Sequence, residues 1–145
     1  MSVPEIRTIH SKEELQTAFA IRYRVFVEEQ GVPASEELDE HEDKSRHFLV
    51  LEEGVPVATA RWRLTSEGVK LERFAVLPEH RNRGIGAQLL QAVLDDVRRQ
   101  HPDKKIYLHA QLPARRLYER AGFVPEGDIF DECGILHIKM HWKGE

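Results

Sequence analysis

Residues 71–90 constrain the fold more than any other stretch of the chain. Leu71-Glu72-Arg73-Phe74-Ala75-Val76 reads as a strand, Arg81-Asn82-Arg83-Gly84-Ile85-Gly86 as an arginine-bearing glycine turn, and Ala87-Gln88-Leu89-Leu90 as the start of a helix. Glycine lets a backbone approach a ligand closely because it carries no Cβ. A helix N-terminus offers unpaired N–H groups and partial positive charge, which suits phosphate. Two arginines add full charges with forked donors. The stretch therefore reads as a seat for a phosphate-bearing ligand, with Arg81 and Arg83 as candidate contacts.

Missing residues narrow the ligand. A P-loop needs Lys-Ser or Lys-Thr after its second glycine, and neither follows here. A dinucleotide fingerprint needs a third glycine where Leu89 stands. What remains is Arg-x-x-Gly-x-Gly, preceded by Val76-Leu77-Pro78-Glu79.

The 145 residues suit a single domain, 1–145, and 41% hydrophobic content is enough for a core. No apolar run reaches membrane-spanning length, and the N-terminus lacks the basic and apolar regions of a signal peptide. Cys133 is the only cysteine, so the expected setting is reducing and cytoplasmic. A net charge of −4 argues against nucleic acid as a partner. Between Glu28 and Asp43 there are eight acids and no Lys or Arg. Such a run is either a solvated loop or an attractor for a cationic acceptor, in which case Glu28, Glu29, Glu37 and Asp39 are its candidates.

Periodicity and turn residues divide the chain. Val3 to Ile9 reads as a strand. Ser11-Lys12-Glu13-Glu14 is a capping box opening a helix along Leu15, Ala18, Phe19, Arg22 and Phe26. Gln30-Gly31-Val32-Pro33 breaks it, and a polar loop or short second helix follows. His47–Leu51, Val55–Leu64 and Val69–Val76 form a three-strand meander turned at Glu53-Gly54 and Ser66-Glu67-Gly68. Ile85, Leu89, Leu90, Val93, Leu94 and Val97 mark one face of a helix. A strand at Ile106–Ala110, a helix at Ala114–Arg120 closed by Gly122, and strands at Ile129-Phe130 and Ile135–Met140 complete it. The order β-α-(α)-β-β-β-α-β-α-β-β predicts a mixed α/β (α+β) fold, a mostly antiparallel sheet with helices on both faces.

This order and two motifs resemble the GNAT superfamily of N-acetyltransferases. One motif is Glu72 to Leu90 with its Arg81-x-x-Gly84-x-Gly86. The other is Leu117-Tyr118-Glu119-Arg120-Ala121-Gly122-Phe123, similar to the family's Leu-Tyr-x-x-x-Gly-Phe helix. Arg24–Gln30, Glu37-Leu38-Asp39, His47, His109-Ala110-Gln111 and Gly134–Met140 resemble the ElaA-like branch, which includes YjcF-type proteins. The resemblance implies acetyl-CoA as co-substrate, with no metal. It implies that Phe74, Ala75 and Val76 pair with the pantetheine arm through their backbone. It further implies that Arg81, Asn82, Arg83, Gly84, Ile85, Gly86 and Ala87 cradle the pyrophosphate. Gln111 stands where the family often has Asn. Tyr118 is implied as the acid for the departing thiolate, and Glu72 as a base, direct or through water.

An alkylamine attacks a thioester only when neutral, and its pKa lies near 10, so a base or desolvation is needed. The expected acceptor is a small-molecule or lysine-like amine, attacking directly in a ternary complex. Glu29, Arg61, His47, His109 and His137 are candidate acceptor-side residues. The competing readings are ion pairing of Glu72 with Arg61 or Arg73 on a sheet face, and core roles for the histidines, whose spacing matches no zinc signature. A non-catalytic CoA-binding module of the same fold is the alternative function. A monomer or a homodimer is compatible with the chain, and the second and last strands are where a dimer would pair.

Overall fold

The computed structural model describes residues 3–144; residues 1, 2 and 145 of the expected domain lie outside the described residues. Strand β1 (Glu5–Thr8) leads to helix α1 (Lys12–Arg22), which continues as a π-helical segment (Tyr23–Glu29). Ser11 caps α1 by accepting the Glu14 N–H at 3.1 Å. The Glu14 carboxylate accepts from Arg7 at 2.9 Å. A short helix α2 (Ala34–Glu37) and a loop lead to the meander β2 (Arg46–Glu52), β3 (Val55–Leu64) and β4 (Val69–Val76). Helix α3 (Ile85–Gln100), β5 (Ile106–Gln111), α4 (Arg115–Arg120), β6 (Phe123–Pro125), β7 (Phe130–Glu132) and β8 (Ile135–Trp142) follow.

The expected mixed fold is present, with one added strand. β6 is three residues long and leaves directly from the α4 turn, too short to show a period of its own. The sheet runs β1-β2-β3-β4-β5-β8-β6, with β7 also on β8, and only the β4–β5 pair is parallel. β2 lies between β1 and β3, and β8 between β5 and the β6 and β7 pair. Neither is left as an edge for a partner strand.

Alternation along the strands divides the core between the two sheet faces. Phe48 and Val50 join the cluster of Leu89, Leu90, Val93, Leu94 and Val97 from α3, whereas Leu49 joins Ile21 and Val25 with Ala75 and Leu77. The apolar stripe of α3 is fully buried, so truncating Leu94 to Ala costs about 2–5 kcal/mol. Buried Asp96 on that helix accepts from Trp62 Nε1 at 2.9 Å and Arg46 Nε at 2.7 Å, which fixes α3 to the meander.

Candidate active site

β4 and β5 part company in mid-sheet. They pair only from Val69 to Leu71 against Ile106 to Leu108, although β4 runs on to Val76 and β5 to Gln111. A bulge in β4 accounts for the divergence. Thr59 pairs with Ala75 and Arg61 with Glu72, so Arg73 and Phe74 together oppose Ala60. Arg73 takes φ of +59° there, and an extra residue of this kind bends its strand. The backbone of β4 beyond Leu71 is consequently unpaired on its β5 side. The opening is a cleft of about 870 Å³, continuous with solvent. Glu72, Phe74, His109, Gln111, Tyr118 and His137 line it, all residues singled out from the sequence.

The glycine turn lies past the end of β4. Asn82 (φ +63°) and Gly84 (φ +81°) are left-handed, a conformation that glycine adopts without strain. The first helical bond of α3 runs from the Gln88 N–H to the Gly84 carbonyl at 3.1 Å, and no side chain caps the helix. The N–H groups of Ile85, Gly86 and Ala87 therefore have no intrahelical partner. Ile85 itself is buried, its side chain in the core. A Cβ on Gly86 would lie 3.7 Å from Leu117 Cδ2 and 3.9 Å from Val76 Cγ2, so the turn adjoins both β4 and the helix carrying Tyr118.

The loop arginines are engaged by carboxylates. Arg81 meets Glu29 through two bonds of 2.6 and 2.7 Å and donates from Nε to the Val76 carbonyl at 2.9 Å. Arg83 pairs with Glu52, which also faces His80 at 3.2 Å. Glu29, expected on the acceptor side, is thus held against the glycine turn.

Tyr118 stacks edge-on between Phe74 and Phe123, with ring centroids 6.1 and 6.0 Å away. Its hydroxyl has no hydrogen-bond partner among the described residues. Burial pushes its pKa up, so the phenol keeps its proton. Glu72 is different. It accepts from Arg61 Nη2 at 2.9 Å and Arg63 Nε at 2.7 Å, and pairs with Lys70 at 3.1 Å. Burial pushes its pKa up, but the Arg63 hydrogen bond and the charges of Arg61, Lys70 and Arg63 win and hold it at about 2. A carboxylate so stabilised is a poor proton acceptor.

Arg61 is fully buried and does not line the cleft. It donates to Asp39 at 2.8 Å and Glu42 at 2.7 Å besides Glu72. Arg22, equally buried, binds Glu37 at 3.0 Å and Glu42 at 2.8 Å, while Arg73 reaches Glu37 at 3.1 Å. Three carboxylates of the acidic run are therefore turned inward onto arginines. Neither a solvated loop nor an attractor of cations describes Glu37, Asp39 and Glu42.

The three histidines do not converge. His47 is buried beside Phe19 with Nε2 3.0 Å from the Glu42 carbonyl, away from the cleft. His109 and His137 flank Glu132, with Nδ1 of His109 at 3.3 Å and Nε2 of His137 at 3.7 Å from its carboxylate. Gln111 exchanges two amide bonds, 3.2 and 2.8 Å, with Gln30 at the end of the π-helical segment.

Glu36, Arg73, Glu132 and Cys133 also line the cleft, and sequence reasoning missed them as site residues. Cys133 (φ +55°) and Gly134 (φ +79°) make the two-residue turn between β7 and β8, and the Cys133 thiol donates to Glu36 at 3.0 Å. A hairpin reading of Cys133-Gly134 was the available signal. It places Phe130 opposite His137 and Glu132 on the same face.

Comparison with known proteins gives the family and the fold. The acetyltransferase (GNAT) domain model matches residues 8–143. The uncharacterized N-acetyltransferase YjcF of Bacillus subtilis is 38% identical over 131 residues, covering 90% of this chain and 93% of its own. Protein ElaA of Escherichia coli is 32% identical over 134 residues, covering 90% and 88%. The ElaA crystal structure superposes with a TM-score of 0.88 over 97% of this chain and 100% of that one, at 29% identity. A GNAT family acetyltransferase from Elizabethkingia anophelis with acetyl-CoA bound shares the fold, with a TM-score of 0.69 and 18% identity over 95% and 94% of the two chains.

Proposed function

Because the chain belongs to the acetyltransferase (GNAT) family, in the branch of YjcF and ElaA, we propose that it transfers an acetyl group from acetyl-CoA to a primary amine by direct attack in a ternary complex. The observation that carries the proposal is the placing of two features side by side. Free N–H groups at the start of α3 lie beside Val76, at the end of the β4 stretch that has lost its neighbour. The acetyl-CoA held by the Elizabethkingia protein of the same fold supports the same reading.

The residues present fit that co-substrate. Backbone N–H groups from Asn82 to Ala87 would hold its pyrophosphate, the Arg81 N–H being given to the Pro78 carbonyl, with the Arg81 and Arg83 side chains adding charge once released from Glu29 and Glu52. The unpaired stretch Phe74-Ala75-Val76 would take the pantetheine arm as an added strand. An N–H at the bulge near Phe74 would polarise the thioester carbonyl. Bound, acetyl-CoA supplies an activated acyl group, so no residue need become acylated.

Tyr118 would donate to the departing sulfur. A thiol has a pKa of about 8.5, so full transfer from a phenol raised above its ordinary value is uphill. The proposed role is therefore a hydrogen bond that strengthens as charge grows on sulfur. Glu72 is proposed as a hub for Arg61, Arg63 and Lys70, which orders the cleft wall. Gln111, paired with Gln30, would border the arm rather than react. The working unit is taken as residues 1–145 in a cytoplasmic setting, with a small-molecule or lysine-like amine as partner.

Calorimetry with acetyl-CoA, with NAD and ATP as controls, tests the co-substrate. Thiol release over a panel of primary amines tests the reaction. Selective acetyl-CoA binding with amine-dependent thiol release is expected. Absence of acetyl-CoA binding would overturn the proposal, whereas binding without turnover on any amine would favour the non-catalytic module.

A further inference from the structure

The acetyltransferase reading calls for a proton acceptor in the cleft, and Glu72 is spent on cations. The opposite wall supplies one. His109 lies on β5 where it diverges from β4, and it lines the cleft with its side chain about 25% exposed. Its Nδ1 is 3.3 Å from Glu132 Oε1. An ionised carboxylate only accepts, so Nδ1 carries the hydrogen. Nε2 of the neutral ring is then a lone pair, and it makes no hydrogen bond among the described residues. Phe130 packs edge-on against the ring at 5.0 Å and limits its rotation.

The neighbours of Glu132 keep it ionised. The His109 hydrogen bond, opposed by burial and joined by the charge of Lys70, lowers its pKa. His137 donates from Nδ1 to the Ile135 carbonyl at 2.8 Å, which leaves its Nε2 toward Glu132 at 3.7 Å. His137 is buried and stacked on Phe130, so it acts as a wall rather than a second open base. The other charged or titratable groups around His109 are Tyr107 on β5, Lys139 opposite it on β8, and Lys70, Glu72, Arg73, Tyr118, Glu36, Glu37 and Cys133 around the cleft. Lys139 is occupied by Glu67 and Glu126.

We propose that His109 is the general base for the acceptor amine and that Glu132 is the residue that positions it; this rests on the acetyltransferase reading. Nε2 takes one N–H proton as the C–N bond forms at the thioester carbonyl carbon. The C–S bond breaks with its electron pair on sulfur, which is protonated from solvent to the thiol. His109 returns its proton to solvent, so the proton lost by nitrogen balances the one gained by sulfur. The arrangement has the logic of a carboxylate-oriented imidazole, with the base and the hydroxyl of Tyr118 lining one cleft.

The test has two arms. Nitrogen-15 NMR of the whole protein, with and without acetyl-CoA, should show neutral His109 protonated on Nδ1, and Glu132→Gln should erase that preference. Protonation on Nε2 would overturn the proposal. In the second arm, n-butylamine and a lysyl peptide serve as acceptor probes. His109→Gln should lower kcat by about 100-fold or more while acetyl-CoA affinity measured by calorimetry holds. Glu132→Gln should displace the acid limb of the kcat/KM profile, with Glu132→Asp restoring part of it. An unchanged kcat and pH profile in His109→Gln, with acetyl-CoA binding intact, would sink the base assignment alone. Loss of acetyl-CoA binding by the wild-type protein would sink the acetyltransferase reading instead.

Discussion

Arg81 and Glu29 face each other through two bonds, Nη1 to Oε2 at 2.6 Å and Nη2 to Oε1 at 2.7 Å, across 52 residues of sequence. The pair joins the end of the π-helical segment to the glycine turn. Both side chains are about one-third exposed, so the pair is worth no more than about 1 kcal/mol. A pyrophosphate would therefore displace Glu29 readily.

The carboxylate competes with phosphate for one guanidinium, and this predicts opposite signs for the two partners. Glu29→Gln should tighten acetyl-CoA binding by about 2–5-fold, and Arg81→Ala should weaken it by about 10-fold or more. Calorimetry at two salt concentrations checks both. Weaker binding in Glu29→Gln would mean that Glu29 orients Arg81 rather than opposing its ligand.

Gly86 has an ordinary backbone conformation, and a Cβ there would make only van der Waals contacts. The fold alone does not require glycine at this position. Gly86→Ala should hold or raise stability by up to about 1 kcal/mol because alanine favours helix. On the proposed reading the backbone at Gly86 approaches the pyrophosphate, so acetyl-CoA affinity should nevertheless fall. Thermal melting and calorimetry on one sample separate the two effects.

Tyr118→Phe removes a hydroxyl that bonds to nothing among the described residues. Stability should change by less than about 0.5 kcal/mol. kcat should fall by about 10–100-fold with little change in KM for acetyl-CoA, as expected for a contact made as charge develops on sulfur. An unaltered kcat would remove Tyr118 from the chemistry.

Acid should unfold the protein through the arginine cluster. Glu72 titrates at about 2 when folded and 4.5 otherwise, and Asp39 and Glu42 are lowered as well. A folded-state pKa below the unfolded one means that the unfolded chain binds more protons in this window. The stabilisation is complete above pH 4.5 and is lost as pH falls toward about 2, on the order of 3 kcal/mol from Glu72. Denaturant midpoints measured from pH 6 to 2 should follow this fall. Arg61→Ala should cost about 3–5 kcal/mol at neutral pH, because it strands buried carboxylates.

Much of the frame was legible. Val55–Leu64 and Val69–Val76 have the bounds that their alternation implies, and Ser11 caps α1 as its spacing indicates. The apolar stripe of α3 runs from Ile85 as read. The two arginines of the turn were legible as residues but not as partners, because Glu29 and Glu52 come from distant segments. Glu132 escaped notice because β7 is three residues long and its hairpin turn carries a cysteine rather than Asn or Asp.

Local periodicity and turn chemistry act over a few residues, so the sequence by itself determined the meander, the glycine turn with its helix, and the order of strands and helices apart from β6. Charge pairing acts through space. Only the tertiary structure decided that Glu37, Asp39 and Glu42 face Arg22, Arg61 and Arg73, that the β4 bulge opens the cleft, and that Glu132 meets His109. A carboxylate's role depends on which cation or imidazole the fold brings within about 3 Å of it, and no spacing along the chain carries that information.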